Sequence, residues 1–216
     1  MRLKRRYENL PEKPCVIVGA GDFDGFCEGY TAGFVIAADG GCNRLADFGL
    51  RPDLIVGDFD SLSDAPSGVE TVRFPKDKCE TDTDLAAKEA IKRAYNRFYI
   101  YGALGGRTDH VFGNAAVLIN LSRNGYAAYI IGKNEVITAV TDGAVAFGAD
   151  KRGTVSVFPA GEKARGVSLK GLKYELDGAT LKYGETLGVS NEFIGEKSVI
   201  EVKKGTLIIV FRQGET

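Results

Sequence analysis

The sequence predicts an α/β fold: a largely parallel α/β sheet over residues 1–142, then a small all-β sandwich over 143–216. Three observations carry this. Four apolar runs in the first half, "CVIVGAGD", "FVIAADGG", "LIVGDFDS" and "FYIYGALGG", each end in glycine or aspartate. Helical segments alternate with them: "CNRLADFG", "TDLAAKEAIKRAYNR" and "DHVFGNAAVLINLSRNG". From about residue 143 the texture changes to short β-rich runs between glycine turns, such as "GTVSVFPAG", "GVSLKGLKYEL", "SVIEVKKG" and "TLIIVFR". Strand alternating with helix implies parallel strands covered on both faces, whose ligands bind beyond the strands' carboxyl ends. Those ends are where the glycines and aspartates fall. The β-rich module buries little apolar surface alone and is expected to lean on the first domain or on a second subunit.

Composition narrows the function. Lys and Arg number 28 against 29 Asp and Glu, so the broad basic footprint of a nucleic-acid binder is missing. The basic start is followed by a short, glycine-interrupted apolar stretch, and no run approaches the roughly 18 residues of a membrane helix, so neither signal peptide nor membrane partner is expected. Four cysteines without CxxC spacing suggest reduced thiols and a cytoplasmic location. One histidine, His110, excludes HExxH and multi-histidine metal centres within the chain, so a metal would sit on oxygen ligands, favouring magnesium or calcium.

Along the chain, "VIVGAGDFDG" resembles a dinucleotide fingerprint, but Asp24 stands at the third glycine position and residues 23–33 are short for a crossover helix. A strand followed by a tight turn accounts for Gly19 and Gly21. In "ADGGCNRLADFG", Gly40 and Gly41 precede a helix whose free amides favour phosphate; alternatively Asp39 caps that helix and the glycines turn the chain. In "LIVGDFDSL", extended backbone would put Asp58 and Asp60 on one face about 7 Å apart, where they could share a cation. "KDKCETDTDLAAKEA" carries Lys76, Lys78, Thr81, Asp82, Thr83 and Asp84 before a helix. One capping residue suffices, so the surplus carboxylate and the lysine suit a site for both metal and phosphate. "GALGGRTDHVFGN" offers Arg107 as a fork for phosphate oxygens and Asp109 as helix cap or proton acceptor. There is no GxxxxGK[ST], which excludes a P-loop NTPase.

Taken together, "ADGG" at 38–41, "GDFDS" at 57–61, "KCETD" at 78–82, "GGRTDH" at 105–110 with Asn114, and "VSNE" at 189–192 resemble the ordered motifs of the thiamine pyrophosphokinases, over about residues 14–211. The resemblance implies ATP-dependent transfer of pyrophosphate to the hydroxyethyl group of thiamine, giving thiamine diphosphate and AMP. It also implies Mg2+ and a homodimer with shared active sites, the β-domain serving thiamine binding and dimerisation. By the resemblance Asp58, Asp60 and Asp82 are the magnesium ligands, while Lys78 and Arg107 hold phosphate oxygens. Asp39, Gly40, Thr81, Asp109, His110 and Asn114 line the nucleotide and reaction centre, and Ser190 and Asn191 face thiamine. Such transfer relies on positioning and charge neutralisation more than on a protein nucleophile. The chain departs from the family where Cys79 replaces an aspartate of K-D-x-T-D, and in having no tryptophan, for which Phe211 or another aromatic is the candidate replacement. The rival readings are pyrophosphoryl transfer to another heterocyclic alcohol and a non-catalytic nucleotide or thiamine sensor.

Overall fold

The computed structural model describes residues 11–59 and 66–212. The chain forms β1 (Pro14–Val18), β2 (Val35–Ala38), α1 (Gly41–Asp47), β3 (Leu54–Gly57), β4 (Glu70–Arg73), α2 (Asp82–Lys92), β5 (Arg97–Tyr101), α3 (Thr108–Arg123) and β6 (Ala127–Ile131). There follow β7 (Glu135–Thr141), β8 (Ala144–Phe147), β9 (Arg152–Pro159), β10 (Lys163–Lys170), β11 (Leu176–Lys182), β12 (Asn191–Ile194), β13 (Ser198–Lys204) and β14 (Thr206–Arg212). Two compact units result: one takes in the chain up to Leu118 with Tyr126–Lys133, the other Ile119–Gly125 with everything from Asn134. Among the described residues no helix is long and apolar enough to cross a membrane.

In the first unit six strands run in the order β6-β5-β1-β2-β3-β4, every pair parallel. Cys15 to Val18, Leu54 to Val56, Phe98 and Ile100 are fully buried, as expected of apolar strands covered on both faces. Helix α2 packs on β1, β2 and β3, with Leu85, Ala86 and Ala90 buried. The chain travels outward from β1 through β4 and then returns to the other side of β1 as β5. Its direction of travel therefore reverses between β1 and β5, and loops leaving such a point diverge and open a crevice.

The β1–β2 connection contains no helix, which removes the crossover a dinucleotide fingerprint requires. It is a loop strapped down by Tyr101, whose hydroxyl donates to the Tyr30 carbonyl (2.9 Å) and accepts from the Cys27 amide (3.1 Å). Phe23 packs edge-on against Phe26, Phe48 and Tyr101.

In the second unit the strands run β12-β9-β14-β7 and β11-β10-β13-β8, and the pairs within each set are antiparallel. Alternation is clear in β7, where Val136, Thr138 and Val140 are buried and their neighbours are not. Phe211, the sequence candidate for an aromatic platform, is 3% exposed and packs on Phe147 and Phe193 at ring separations of 5.2 and 6.5 Å. Its period-2 position turns it inward, so it serves the core and offers no open ring face. The exposed aromatics of this unit include Tyr174 and Tyr183.

Candidate active site

A cleft of about 530 Å³ opens where the chain reverses between β1 and β5. Glycines make its floor. The Gly19 amide donates to the Tyr101 carbonyl (2.8 Å), Gly21 to Gly102 (2.8 Å) and Asp22 to Leu104 (2.9 Å), so the two segments stay paired past the strand ends. A Cβ on Gly21 would lie 2.5 Å from the Leu104 oxygen, and one on Gly102, at φ +59°, 2.3 Å from the Gly19 oxygen. The close approach demands glycine and leaves the space above it open. The sequence motifs supply the walls: Asp39 after β2, Thr81, Asp82 and Thr83 at the start of α2, and Arg107, His110 and Asn114 after β5.

Asp39 does not cap α1. The N-cap is Gly40, which makes no side-chain cap bond, and Asp39 has φ 42°. A Cβ on Gly57 would come within 3.0 Å of the Asp39 Cβ, so the glycine of "GDFD" makes room for the aspartate of "ADGG". Gly41 is a packing residue: its Cβ would stand 1.8 Å from the Val18 carbonyl oxygen, where α1 docks on the end of β1. Burial pushes the neighbouring Cys42 thiol up, which keeps it protonated and inert.

The D-x-D geometry differs from the extended one. Strand β3 stops at Gly57 and Phe59 has φ 67°, so the backbone turns between the two aspartates; Asp60 itself lies outside the described residues. The structure brings Asp58 and Asp82 to one lysine. The Lys78 Nζ pairs with Asp82 Oδ1 and lies 3.9 Å from Asp58 Oδ2, with only 11% of the lysine side chain exposed. Thr81 is the cap of α2, its Oγ1 accepting from the Asp84 amide at 3.3 Å. Asp84 pairs with Lys88 (2.8 Å), which also meets Glu80 (3.1 Å). The surplus acid of this motif is therefore Asp82. Among the described residues no group of three or more His, Cys, Asp or Glu is arranged to hold a metal. Two hard oxygen donors do converge on one cation, the Lys78 ammonium, and that donor set fits a divalent ion such as Mg2+.

The sequence reading missed Arg73. It lies opposite Gly57 in the β3–β4 register, its Nε donates to the Asp58 carbonyl (3.3 Å), and its guanidinium stands 5.6 Å from the Phe59 ring centroid. It braces the turn that carries Asp58. The available signal was weak, because "ETVR" is a mostly exposed edge strand without an apolar run.

Arg107 and Asp109 form a two-pronged pair, Nη2 to Oδ2 at 2.6 Å and Nε to Oδ1 at 3.2 Å, with both side chains exposed. The hydrogen bond from Arg107 holds the Asp109 carboxyl below the usual carboxylate range, which weakens it as a proton acceptor while the pair persists. The His110 amide also donates to Asp109 Oδ1 (3.1 Å). Asn114 is buried, and its Nδ2 donates to the Ala103 carbonyl at 2.9 Å, pinning the glycine loop to α3.

Ser190 and Asn191 belong to the second unit. Ser190 is exposed at φ 57°, its amide donating to Ser156 Oγ (3.0 Å). The Asn191 side chain is engaged by backbone: Oδ1 accepts from the Tyr174 and Glu192 amides, each at 2.9 Å, and Nδ2 donates to the Tyr174 carbonyl at 2.6 Å. Among the described residues five non-glycine residues have positive φ, and Asp39, Phe59 and Ser190 fall inside the sequence motifs. Such conformations cost energy and concentrate at functional sites.

Known proteins are similar to this chain in sequence and in fold. Residues 30–130 match the family model described as thiamin pyrophosphokinase, catalytic domain, and residues 145–207 the one described as thiamin pyrophosphokinase, vitamin B1 binding domain; together they span well over half the chain. The thiamine pyrophosphokinase of Bacillus subtilis is 29% identical over 88% of this chain and 91% of its own length. That of Caenorhabditis elegans is 25% identical over 74% of this chain and 72% of its own. The crystal structure of the B. subtilis enzyme superposes with a TM-score of 0.83 at 28% identity, covering 94% of this chain and 100% of that one. The Geobacillus thermodenitrificans structure gives 0.79 at 27%, covering 94% and 98%. With both family models in order along it and these likenesses over nearly its whole length, the chain belongs to the thiamine pyrophosphokinase family.

Proposed function

We propose that the cleft at the ends of β1 and β5 takes ATP and that the residues around it carry the transfer. The chain is an enzyme of ATP-dependent pyrophosphate transfer to thiamine, the reaction of its family. For thiamine diphosphate and AMP to be the products, the hydroxyl oxygen of thiamine attacks the β-phosphorus of ATP. The bond from that phosphorus to the oxygen bridging to the α-phosphate breaks, AMP leaves with that oxygen, and the hydroxyl gives up its proton. One observation supports the placement above others: Asp39, Thr81, Asp82, Arg107, His110 and Asn114, dispersed over 76 positions of sequence from 39 to 114, line one glycine-floored cleft at the topological switch point.

Arg107 on the wall of that cleft, and Lys78 held at Asp82 beside it, would supply positive charge to phosphate oxygens lying over the open glycine floor. Asp58, Asp60 and Asp82 would hold Mg2+, which when bound neutralises phosphate charge and orients the reacting oxygens. Asn114 and Arg73 position the loops that present these groups. Residues 1–142 serve as the catalytic domain and 143–216 as the thiamine-binding and dimerisation domain, with Ser190 at thiamine and Asn191 shaping the backbone beside it. A homodimer with shared sites accords with the exposed Tyr183, Leu187 and Val189 of the small β-domain. A cytoplasmic location accords with four free cysteines.

The test is incubation of the purified chain with ATP, Mg2+ and thiamine, with AMP and thiamine diphosphate quantified by chromatography. Equimolar products are expected. AMP formed only with a different heterocyclic alcohol would overturn the substrate, and binding without turnover would overturn the reaction.

A further inference from the structure

We infer that Lys78 is a resident competitor for the metal: in the nucleotide-free protein its ammonium holds the cation position between Asp58 and Asp82, and a metal enters only as Lys78 leaves. The inference rests on the reading that these carboxylates are metal ligands.

Lys78 Nζ is bonded to Asp82 Oδ1 and stands within 3.9 Å of Asp58 Oδ2. The lysine side chain is 11% exposed and that of Asp58 16%, so the charges are poorly screened by water. The tether is short. Lys78 lies four residues before Asp82, and its amide donates to the Lys76 carbonyl (3.0 Å) in the turn leading to α2. An ammonium and a divalent ion cannot share one gap between two carboxylates without strong repulsion. A metal entering the free protein must therefore displace Lys78 from Asp82. Phosphate oxygens of a nucleotide give the ammonium an alternative anionic partner, so nucleotide and metal load cooperatively. If Lys78 were only a phosphate ligand, removing it would leave metal binding to the free protein unchanged. Lys88 supplies the control: it carries the same charge but pairs with Asp84 and Glu80, away from the Asp58–Asp82 gap.

The experiment measures Mn2+ binding to the full-length, nucleotide-free protein by paramagnetic resonance of the unbound ion, with a thermal melt for each variant. Lys78→Gln should bind Mn2+ about tenfold more tightly than the parent, and the shape-matched Lys78→Met likewise, since a unit charge a few ångströms away in a partly buried site is worth at least that much. Lys88→Gln should stay within about twofold, because its pairs are solvent-screened. Neutral Lys78 variants that bind no more tightly than the parent, or a Lys88→Gln gain equal to theirs, would overturn the inference. A parent that makes thiamine diphosphate while its neutral Lys78 variants gain no Mn2+ affinity sinks this inference alone, whereas a parent that makes none sinks the functional reading.

Discussion

Replacing Asn191 by alanine separates two roles for a residue that the family resemblance places at thiamine and the structure ties to the backbone. Asn191 is 3% exposed. Alanine removes two acceptor bonds of 2.9 Å, from the Tyr174 and Glu192 amides, and the 2.6 Å donor bond to the Tyr174 carbonyl. A buried backbone group left without a partner costs about 1–3 kcal/mol, and Tyr174 would lose partners for both its N–H and its C=O. Its exposed ring lies beside solvent that can partly compensate, so the expected loss is about 2–5 kcal/mol, a large share of the roughly 5–15 kcal/mol that holds such a fold. The measurement is urea unfolding at 25 °C followed by circular dichroism, the chain having no tryptophan to report by fluorescence. Asn191→Asp keeps both acceptor bonds but turns a carboxylate oxygen onto the Tyr174 carbonyl oxygen and buries a charge, so its loss should be at least as large as that of alanine. Ser190→Gly removes a side chain from a residue at φ 57° and should leave stability within about 1 kcal/mol of the parent. An Asn191→Ala variant as stable as the parent, but with a raised KM for thiamine, would refute the structural assignment and put the amide on the substrate.

Gly41→Ala should destabilise by at least about 1–3 kcal/mol, because the new Cβ would meet the Val18 carbonyl oxygen at 1.8 Å; unchanged unfolding with weakened ATP binding would return Gly41 to a phosphate role. Asp82→Asn should abolish turnover across a magnesium series while the thermal melt stays close to the parent's, and Asp60→Asn should do the same; near-normal activity in both would remove the carboxylates from the metal site. Arg107→Gln should raise the Asp109 carboxyl toward the ordinary range, read by carbon NMR across an acid titration. The sign follows from a depressed folded-state value: the pairing is present above the unfolded value and lost as pH falls through the folded one, so a variant with Asp109 unmoved or lowered would contradict the pairing.

Local pattern was enough for much of this chain. β1, β2, β3 and β5 are apolar runs that a parallel sheet buries on both faces, and α1 and α2 start at their glycine and threonine signals, whereas α3 starts at Thr108 and takes Asp109 into its first turn. The β-rich texture after residue 143 likewise declared strands without helices, and the five motifs named the family. The edge strand β4 escaped because an exposed edge needs no apolar run, and the helix-free β1–β2 loop was legible only as an incomplete fingerprint. Tertiary structure decided the partnerships. The D-x-D spacing carries no sign of Lys78, which the fold sets against both Asp58 and Asp82, nor of the left-handed Phe59 that ends the extended backbone. The resemblance puts Asn191 at thiamine, and the fold ties its amide to a backbone 17 residues away; Phe211, one candidate for the missing tryptophan, is turned into the core. Sequence periodicity fixes which faces are apolar, because burial acts on each residue in its own element. Which charged or amide group answers another depends on where separate elements end and how their backbones turn, and that is settled only when the chain is folded.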